Sequence, residues 1–322
     1  MQSWRVVLGS RGIFVTGGTG FIGSALVRQL RFRFPLVTVA TREACPSIAP
    51  PIFIFKELSS EQLWGGGVDG HEVVIHTAAR AQSKDMQRID CMDSIRIINV
   101  DGTLNLARQA AAAGAKRFIF LSSIKVNGEL TVNGNTFAAC DEAAPEDLYG
   151  LSKLEAEQGL KQLAVETGME VVIIRPPLVY GPGVKGNFAS MIRLVEKGFP
   201  LPLGAVNNKR SLIGIDNLID LIICCIDHPA AANQVFLAGD GEDLSTTELL
   251  RGVGEAMGNP ARLIPVPAGM LEFGATLLGK KAIAQRLLGS LQVDITKTCE
   301  LLDWKPPYTV GEGLRRCFER SN

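Results

Sequence analysis

Residues 16–23 read Thr-Gly-Gly-Thr-Gly-Phe-Ile-Gly, between an apolar run at 12–15 and a helical stretch at 24–32. The glycines satisfy two overlapping spacings: GxxGxxG at Gly17, Gly20 and Gly23, and GxGxxG at Gly18, Gly20 and Gly23. Few folds turn a strand into a helix this way. The turn is tight, the backbone lacks Cβ atoms and can be approached closely, and the helix start offers N–H groups and its positive dipole end to an anion. An ordinary strand-to-helix junction can also use glycines. The strand before and the helix after make residues Gly17, Gly20, Phe21, Ile22 and Gly23 a dinucleotide cradle.

The surrounding pattern repeats. Nearly continuous apolar runs at 36–40, 52–55, 72–77, 117–122 and 170–175 read as strands buried on both faces. A helical stretch at 100–113 ends at Gly114, a natural C-terminal stop. Alternation of this kind predicts βαβ units and so an α/β, Rossmann-type doubly wound parallel sheet. After Arg175, prolines and glycines at 176, 177, 181–183, 200 and 202 break the repeat. A helix at 217–227 behind a capping Asp216, a strand at 235–238 and a helix at 246–257 follow. The expected division is a dinucleotide-binding domain of 1–175 plus about 211–242. The rest, about 176–210 plus 243–322, is expected to be a smaller substrate lobe.

Composition narrows the partners. Lys+Arg and Asp+Glu both number 33 in 322 residues, which leaves no basic footprint for nucleic acid. The apolar run at 218–226 is broken by Asp220 and too short to span a bilayer, and no cleavable leader precedes the glycine turn. Seven cysteines without a CxxC pair read as free thiols in a reducing compartment, Cys224-Cys225 being packing residues. His71, His76 and His228 are too scattered for a zinc site. The expectation is a cytoplasmic protein with no metal, nucleic-acid or membrane partner.

The second strand bears on the cofactor. NAD enzymes commonly place an acid about twenty residues past the glycines, on the adenosine ribose. Here the strand ends Val39-Ala40-Thr41-Arg42. A guanidinium suits the 2′-phosphate, so Arg42 favours NADP(H). The alternative is NAD(H), with Arg42 solvated and Glu43 or another residue serving the ribose. Farther along, Tyr149-Gly150-Leu151-Ser152-Lys153 opens a helix with Tyr and Lys four apart on one face. A neighbouring ammonium is expected to lower the phenol's pKa and make an acid/base; the plain alternative is a surface Tyr over a surface Lys. The strand at 118–121 delivers Ser122-Ser123 to its carboxyl end, where open α/β sheets bind ligands.

With these motifs the chain resembles the extended short-chain dehydrogenases/reductases of the nucleotide-sugar epimerase/dehydratase group. The resemblance runs through TGGTGFIG, His76-Thr77-Ala78-Ala79, Asn99-Val100-Asp101-Gly102-Thr103, LSS at 121–123, YGLSK at 149–153, RPPLVYGPG at 175–183 and RSLIGIDNL at 210–218, to Leu302-Asp303-Trp304-Lys305-Pro306. It implies a triad of Ser123, Tyr149 and Lys153; Ser123 fits better than Ser122 because it stands three residues before Val126-Asn127-Gly128. It further implies cofactor contacts at Ala78, Ala79, Asn99, Tyr149, Lys153 and Pro176. Ser123, Lys125, Asn187 and Arg210 fall on the substrate side, the last two at a nucleotide diphosphate. A homodimer through helices 99–113 and 149–167 is implied as well.

Departures from the family narrow the reaction. Dehydratases of the group carry Asp-Glu where this chain has Ile124-Lys125, so the carboxylate pair for water elimination is missing. Lys125 is either a contact to a sugar or phosphate oxygen or a solvated lysine. Familiar 4-epimerases keep an Asn where Leu178 stands. The stretch SSIKVNGE at 122–129 resembles bacterial O-antigen enzymes that reduce UDP-4-keto-6-deoxy-N-acetylhexosamines. The expected activity is therefore NADPH-dependent reduction of a C4 keto group. The alternative is a UDP-hexose or N-acetylhexosamine 4-epimerase with bound NAD. A non-catalytic dinucleotide sensor is the remote third, since such proteins typically lose the Tyr or Lys retained here.

Overall fold

A computed structural model describes residues 11–44, 51–80, 90–132 and 134–319. Its main sheet has seven strands in the order β3-β2-β1-β4-β5-β6-β9, and every pairing in it is parallel. The strands are β1 (Gly12–Thr16), β2 (Leu36–Thr41), β3 (Ile52–Ile54), β4 (His71–His76), β5 (Arg117–Leu121), β6 (Glu170–Arg175) and β9 (Val235–Leu237). The chain runs outward from β1 to β3 and returns to β4 on the other side. This reversal opens a crevice at the carboxyl ends of β1 and β4, where doubly wound sheets take their ligands.

The expected Rossmann-type fold is present, for the reason the apolar runs gave: successive strand residues face opposite layers. Ile13 and Val15 join the core beneath α1 (Phe21–Arg31) and α6 (Ile215–Asp227), while Phe14 enters the core on the opposite face. There α3 (Gly102–Ala112) and α4 (Leu148–Thr167) contribute Leu106, Ala110, Leu160 and Leu163. Each large aliphatic side chain so buried stabilises the fold by about 1.5–3 kcal/mol.

Two local expectations are corrected. The helix expected at 100–113 is preceded by α2 (Asp90–Arg96) and a π-helical turn at Ile97–Asp101 before α3 begins. Apolar spacing does not register one extra residue in a turn, yet such bulges cluster at functional sites, and this one carries the buried Asn99. Asp216 does not cap α6. The helix starts two residues earlier, behind Gly214, whose N–H donates to Asp240 Oδ1 (2.9 Å). Asp216 lies inside the first turn and pairs with Arg316 Nε at 2.6 Å.

A second sheet, β10-β8-β7, anchors the smaller lobe. β7 (Leu178–Tyr180) runs parallel to β8 (Arg210–Gly214), and β10 (Asp243–Leu244) antiparallel to it. Around it α5 (Asn187–Glu196), α7 (Thr246–Ala256) and α11 (Val310–Arg316) enclose Tyr180, Phe188, Leu249, Leu250 and Leu314. The chain passes repeatedly between the lobes. It leaves β8 for α6 and β9 of the main sheet, then goes back to β10 and α7. It returns through α10 (Thr296–Leu302), so that Leu302 and Trp304 pack in the core under α1 and α6, and it ends on α11. Asp240 pins the junction: its carboxylate accepts from Tyr180 Oη (2.7 Å), Gly214 N and Asn217 Nδ2 (2.7 Å).

Candidate active site

The glycine cradle sits at the crevice. Gly17 has φ +76°, and a Cβ there would lie 2.6 Å from both the Ala78 nitrogen and Thr77 Oγ1. A Cβ on Gly23 would stand 2.1 Å from the Gly17 carbonyl oxygen, so only glycine lets α1 start this close to β1. Gly20 begins α1 with neither a side-chain cap nor an acid in the first turn. The N–H groups of Phe21, Ile22 and Gly23 therefore have no intrahelical acceptor and face the turn. Ala78 is half-buried and Ala79 exposed beyond β4. At the end of β2, Arg42 and Glu43 are both exposed, and the Thr41 hydroxyl donates to the Glu43 carbonyl at 2.8 Å.

The Tyr-Lys pair lies across the crevice at the start of α4. Asp147 caps that helix, its Oδ1 accepting from Gly150 N at 2.7 Å. Lys153 is fully buried; its Nζ donates to the Leu121 carbonyl at 2.8 Å, 4.4 Å from the centroid of the Phe120 ring and 5.9 Å from that of Tyr149. Burial pulls the ammonium's pKa down to about 7, with the Glu157 carboxylate opposing. Tyr149 behaves contrary to the expectation of a lowered pKa. Desolvation and then the Asp147 carboxylate push its phenol up to about 12. The lysine's own burial and its tether to Leu121 weaken the effect that four-residue spacing implied.

The two serines separate. Ser122 is buried and donates to Glu157 Oε1 at 2.5 Å. Ser123 is half-buried just past the carboxyl end of β5 and accepts from Lys125 N at 3.2 Å, which leaves its own hydrogen to donate to a ligand oxygen. Behind it the Pro176 carbonyl accepts from Ile124 N at 3.0 Å and fixes the short turn at Ile124–Val126.

Beneath the pair is a buried polar floor. Glu157 is gripped by Arg175 through Nε (2.9 Å) and Nη2 (2.5 Å), and Arg175 Nη1 donates to Asn127 Oδ1 at 2.9 Å. Removing one member would leave an uncompensated charge in an apolar interior. A second chain fixes a tautomer. Thr103 Oγ1 donates to the Asn99 carbonyl (2.8 Å) and so accepts from His76 Nε2 (2.9 Å), while His76 Nδ1 accepts from Thr16 Oγ1 (2.6 Å). Burial, reinforced by the Lys153 charge, holds His76 neutral, with its pKa down to about 3. Asn99 is engaged on both amide atoms: Oδ1 accepts from Arg80 N (2.8 Å), and Nδ2 donates to the Arg80 carbonyl (3.0 Å) and Ser152 Oγ (3.0 Å). It thus reaches the crevice through the loop it braces.

Lys125 is not the simply solvated lysine of the plain alternative. Its Nζ donates to Glu129 Oε1 and Asp147 Oδ2, each at 2.5 Å. Burial alone would lower its pKa, but the two carboxylates push it up. The lysine is a clamp between the loop after β5 and the cap of α4. Asn187 and Arg210 lie on the smaller lobe. Asn187 is exposed at the first turn of α5, and half-buried Arg210 donates from Nη1 to the Gly289 carbonyl at 2.9 Å. The structure thus groups Ser123, Tyr149 and Lys153 at the ends of β5 and α4, with Lys125 clamped beside them.

Residues 13–239 match the model of the NAD dependent epimerase/dehydratase family. The chain belongs to that family. It is 49% identical to the UDP-glucose 4-epimerase of Vibrio cholerae over 308 residues, 95% of this chain and 94% of that one. It is 25% identical to the N-acetyl-alpha-D-glucosaminyl-diphospho-ditrans,octacis-undecaprenol 4-epimerase of Escherichia coli O157:H7, covering 95% and 94% of the two chains. The crystal structure of UDP-N-acetylglucosamine 4-epimerase from Bacillus cereus shares the fold with a TM-score of 0.76 at 20% identity, over 96% of this chain and 98% of that one. The epimerase/dehydratase family is NAD dependent, and the cradle here fits a dinucleotide: the uncapped start of α1, with no acid in its first turn, leaves the N–H groups of Phe21, Ile22 and Gly23 to a pyrophosphate.

Proposed function

We propose that this chain is a nucleotide-sugar 4-epimerase acting on a UDP-linked hexose or N-acetylhexosamine, with NAD in the glycine cradle. The observation that carries this reading is the 49% identity, across nearly both whole chains, to a UDP-glucose 4-epimerase. The sequence led with C4-keto reduction and held epimerisation as its alternative; the comparisons weigh toward the alternative.

Bound NAD would supply a two-electron acceptor that takes the C4 hydrogen and gives it back. The chain's own residues would handle the proton. Tyr149 Oη would take it from the C4 hydroxyl and return it to the same oxygen once the keto sugar has turned its other face toward the nicotinamide, while Ser123 Oγ donates to that oxygen and orients it. Lys153, its Nζ 5.9 Å from the centroid of the Tyr149 ring, supplies positive charge beneath that ring and holds the nicotinamide ribose. Gly17, Gly20, Phe21, Ile22 and Gly23 bind the pyrophosphate. Ala78, Ala79 and Pro176 line the crevice, and Asn187 and Arg210 bind the sugar's diphosphate from the smaller lobe. Lys125 in its clamp leaves no acid–base pair for elimination. Ile97 on the π turn before α3 and Leu151 on α4, each 42% exposed, support pairing of two chains in the family manner.

One observation favours reduction with NADPH: Arg42 is exposed behind Thr41, with no acid in β2. A single experiment separates the readings. The purified protein is denatured and its released dinucleotide identified; the intact protein is then given UDP-glucose or UDP-N-acetylglucosamine without added cofactor. Interconversion of C4 epimers and release of NAD are expected. NADPH consumption with a UDP-4-keto-6-deoxy sugar, without epimerisation, would replace this proposal with the reductase.

A further inference from the structure

The hairpin of α8 (Ala268–Leu277) and α9 (Lys281–Leu288) has little protein behind it, and α8 buries no residue at all. Met270, Phe273 and Leu277 recur at i, i+3 and i+7 on one face and are 66%, 69% and 72% exposed. Leu278 at 71% and Ile283 at 53% continue the patch across the turn. Charge is segregated there too. Although the whole chain is neutral, residues 268–289 hold Lys280, Lys281 and Arg286 against the single carboxylate of Glu272. Both lysines are exposed and follow Leu277 and Leu278 after the single residue Gly279.

The hairpin's far end is fixed. The Gly289 carbonyl accepts from Arg210 Nη1 (2.9 Å) and Asn208 Nδ2 (2.7 Å), and the Leu287 carbonyl accepts from Thr246 Oγ1 (2.5 Å). The tip is thus an apolar, cationic projection whose base is tied to Arg210.

We propose that the α8–α9 hairpin docks on an anionic lipid bilayer surface. Met270, Phe273, Leu277 and Leu278 enter the headgroup–acyl boundary, and Lys280 and Lys281 meet lipid phosphates. A ten-residue helix is about 15 Å long, half the hydrocarbon thickness, so it lies in the interface and does not cross it. A second copy of the chain is a poorer occupant, because a two-fold contact would lay this patch, with three cations against one carboxylate, on a patch of the same net charge. The sequence-based expectation of no membrane partner rested on the lack of a spanning run, which a surface-lying hairpin does not need. This inference is independent of which sugar reaction the chain performs.

Sedimentation of the full chain with vesicles tests it. The protein is expected to pellet with phosphatidylglycerol–phosphatidylcholine vesicles at low salt, less at high salt, and much less with phosphatidylcholine alone. Each lysine near an anionic surface is worth about fivefold in partitioning, so Lys280→Ala with Lys281→Ala should lower binding roughly twenty-five-fold. Phe273→Ser with Leu277→Ser should abolish binding while leaving the melting temperature unchanged, because both side chains are exposed. A wild-type protein that stays in the supernatant, or variants that pellet as well as it does, would overturn the proposal. So would size exclusion showing that the serine pair splits a dimer into monomers without affecting vesicle binding.

Discussion

Tyr149 stands between two opposite charges, the Lys153 ammonium under its ring and the Asp147 carboxylate at the head of its helix. Replacing Tyr149 with Phe keeps the ring's packing and removes only the transferable proton. Turnover is expected to fall by about 10²–10⁴ while retention of the dinucleotide stays unchanged, measured on the same preparation. The clamp gives a second test. Lys125→Met leaves Asp147 and Glu129 unneutralised and should move the pH at which the phenol ionises upward; Asp147→Asn keeps an oxygen for the cap and should move it downward. The pH profile of kcat/KM reads both, and shifts in the same direction would mean that the clamp acts by shape and not by charge. Four-residue spacing revealed the Tyr-Lys pair but not its electrostatics. Glu129 and Asp147 reach Lys125 from 4 and 22 residues away, and nothing local in the sequence announces the longer meeting. Glu157 was not singled out, although a signal was there: it continues the spacing of Tyr149 and Lys153 by four more residues, on the face they share.

Among the elements, the strands were the most readable, since a run buried on both faces leaves an unbroken apolar signature. β1 and β6 fall where that signature placed them. What escaped were features decided by contacts distant in sequence, such as the π turn before α3 and the start of α6, where Asp240 from another connection accepts from Gly214 N and sets where the helix begins. The junction of β1 and α1 is tight enough to test at one atom. Gly23→Ala would place a methyl 2.1 Å from the Gly17 carbonyl oxygen, so α1 must shift. A loss of about 1–3 kcal/mol is expected in urea unfolding, together with loss of the retained dinucleotide. A variant of wild-type stability that still holds its cofactor would show the cradle to be looser than described.

At the scale of the whole molecule, stability should depend on acid through His76. Its folded pKa is about 3 against an ordinary 6.5, so the fold favours the neutral ring. Between those values the unfolded chain binds the extra proton. The contribution is complete above pH 6.5 and is lost as pH falls toward 3, at up to about 1.4 kcal/mol per unit. His76→Asn should flatten that part of the curve when urea midpoints are compared with the wild type across the same window. The weaving of the chain has a different consequence. Because the polypeptide visits the main sheet, the smaller lobe, the main sheet again through α6 and β9, and once more through α10 and Trp304, neither lobe is a continuous stretch of sequence. A recombination event with a single crossover cannot exchange the smaller lobe for that of another gene without also severing the core of the main sheet. New specificity in this architecture is therefore expected to arise by point substitution and loop change, and a laboratory chimaera would need a junction at every passage between the lobes.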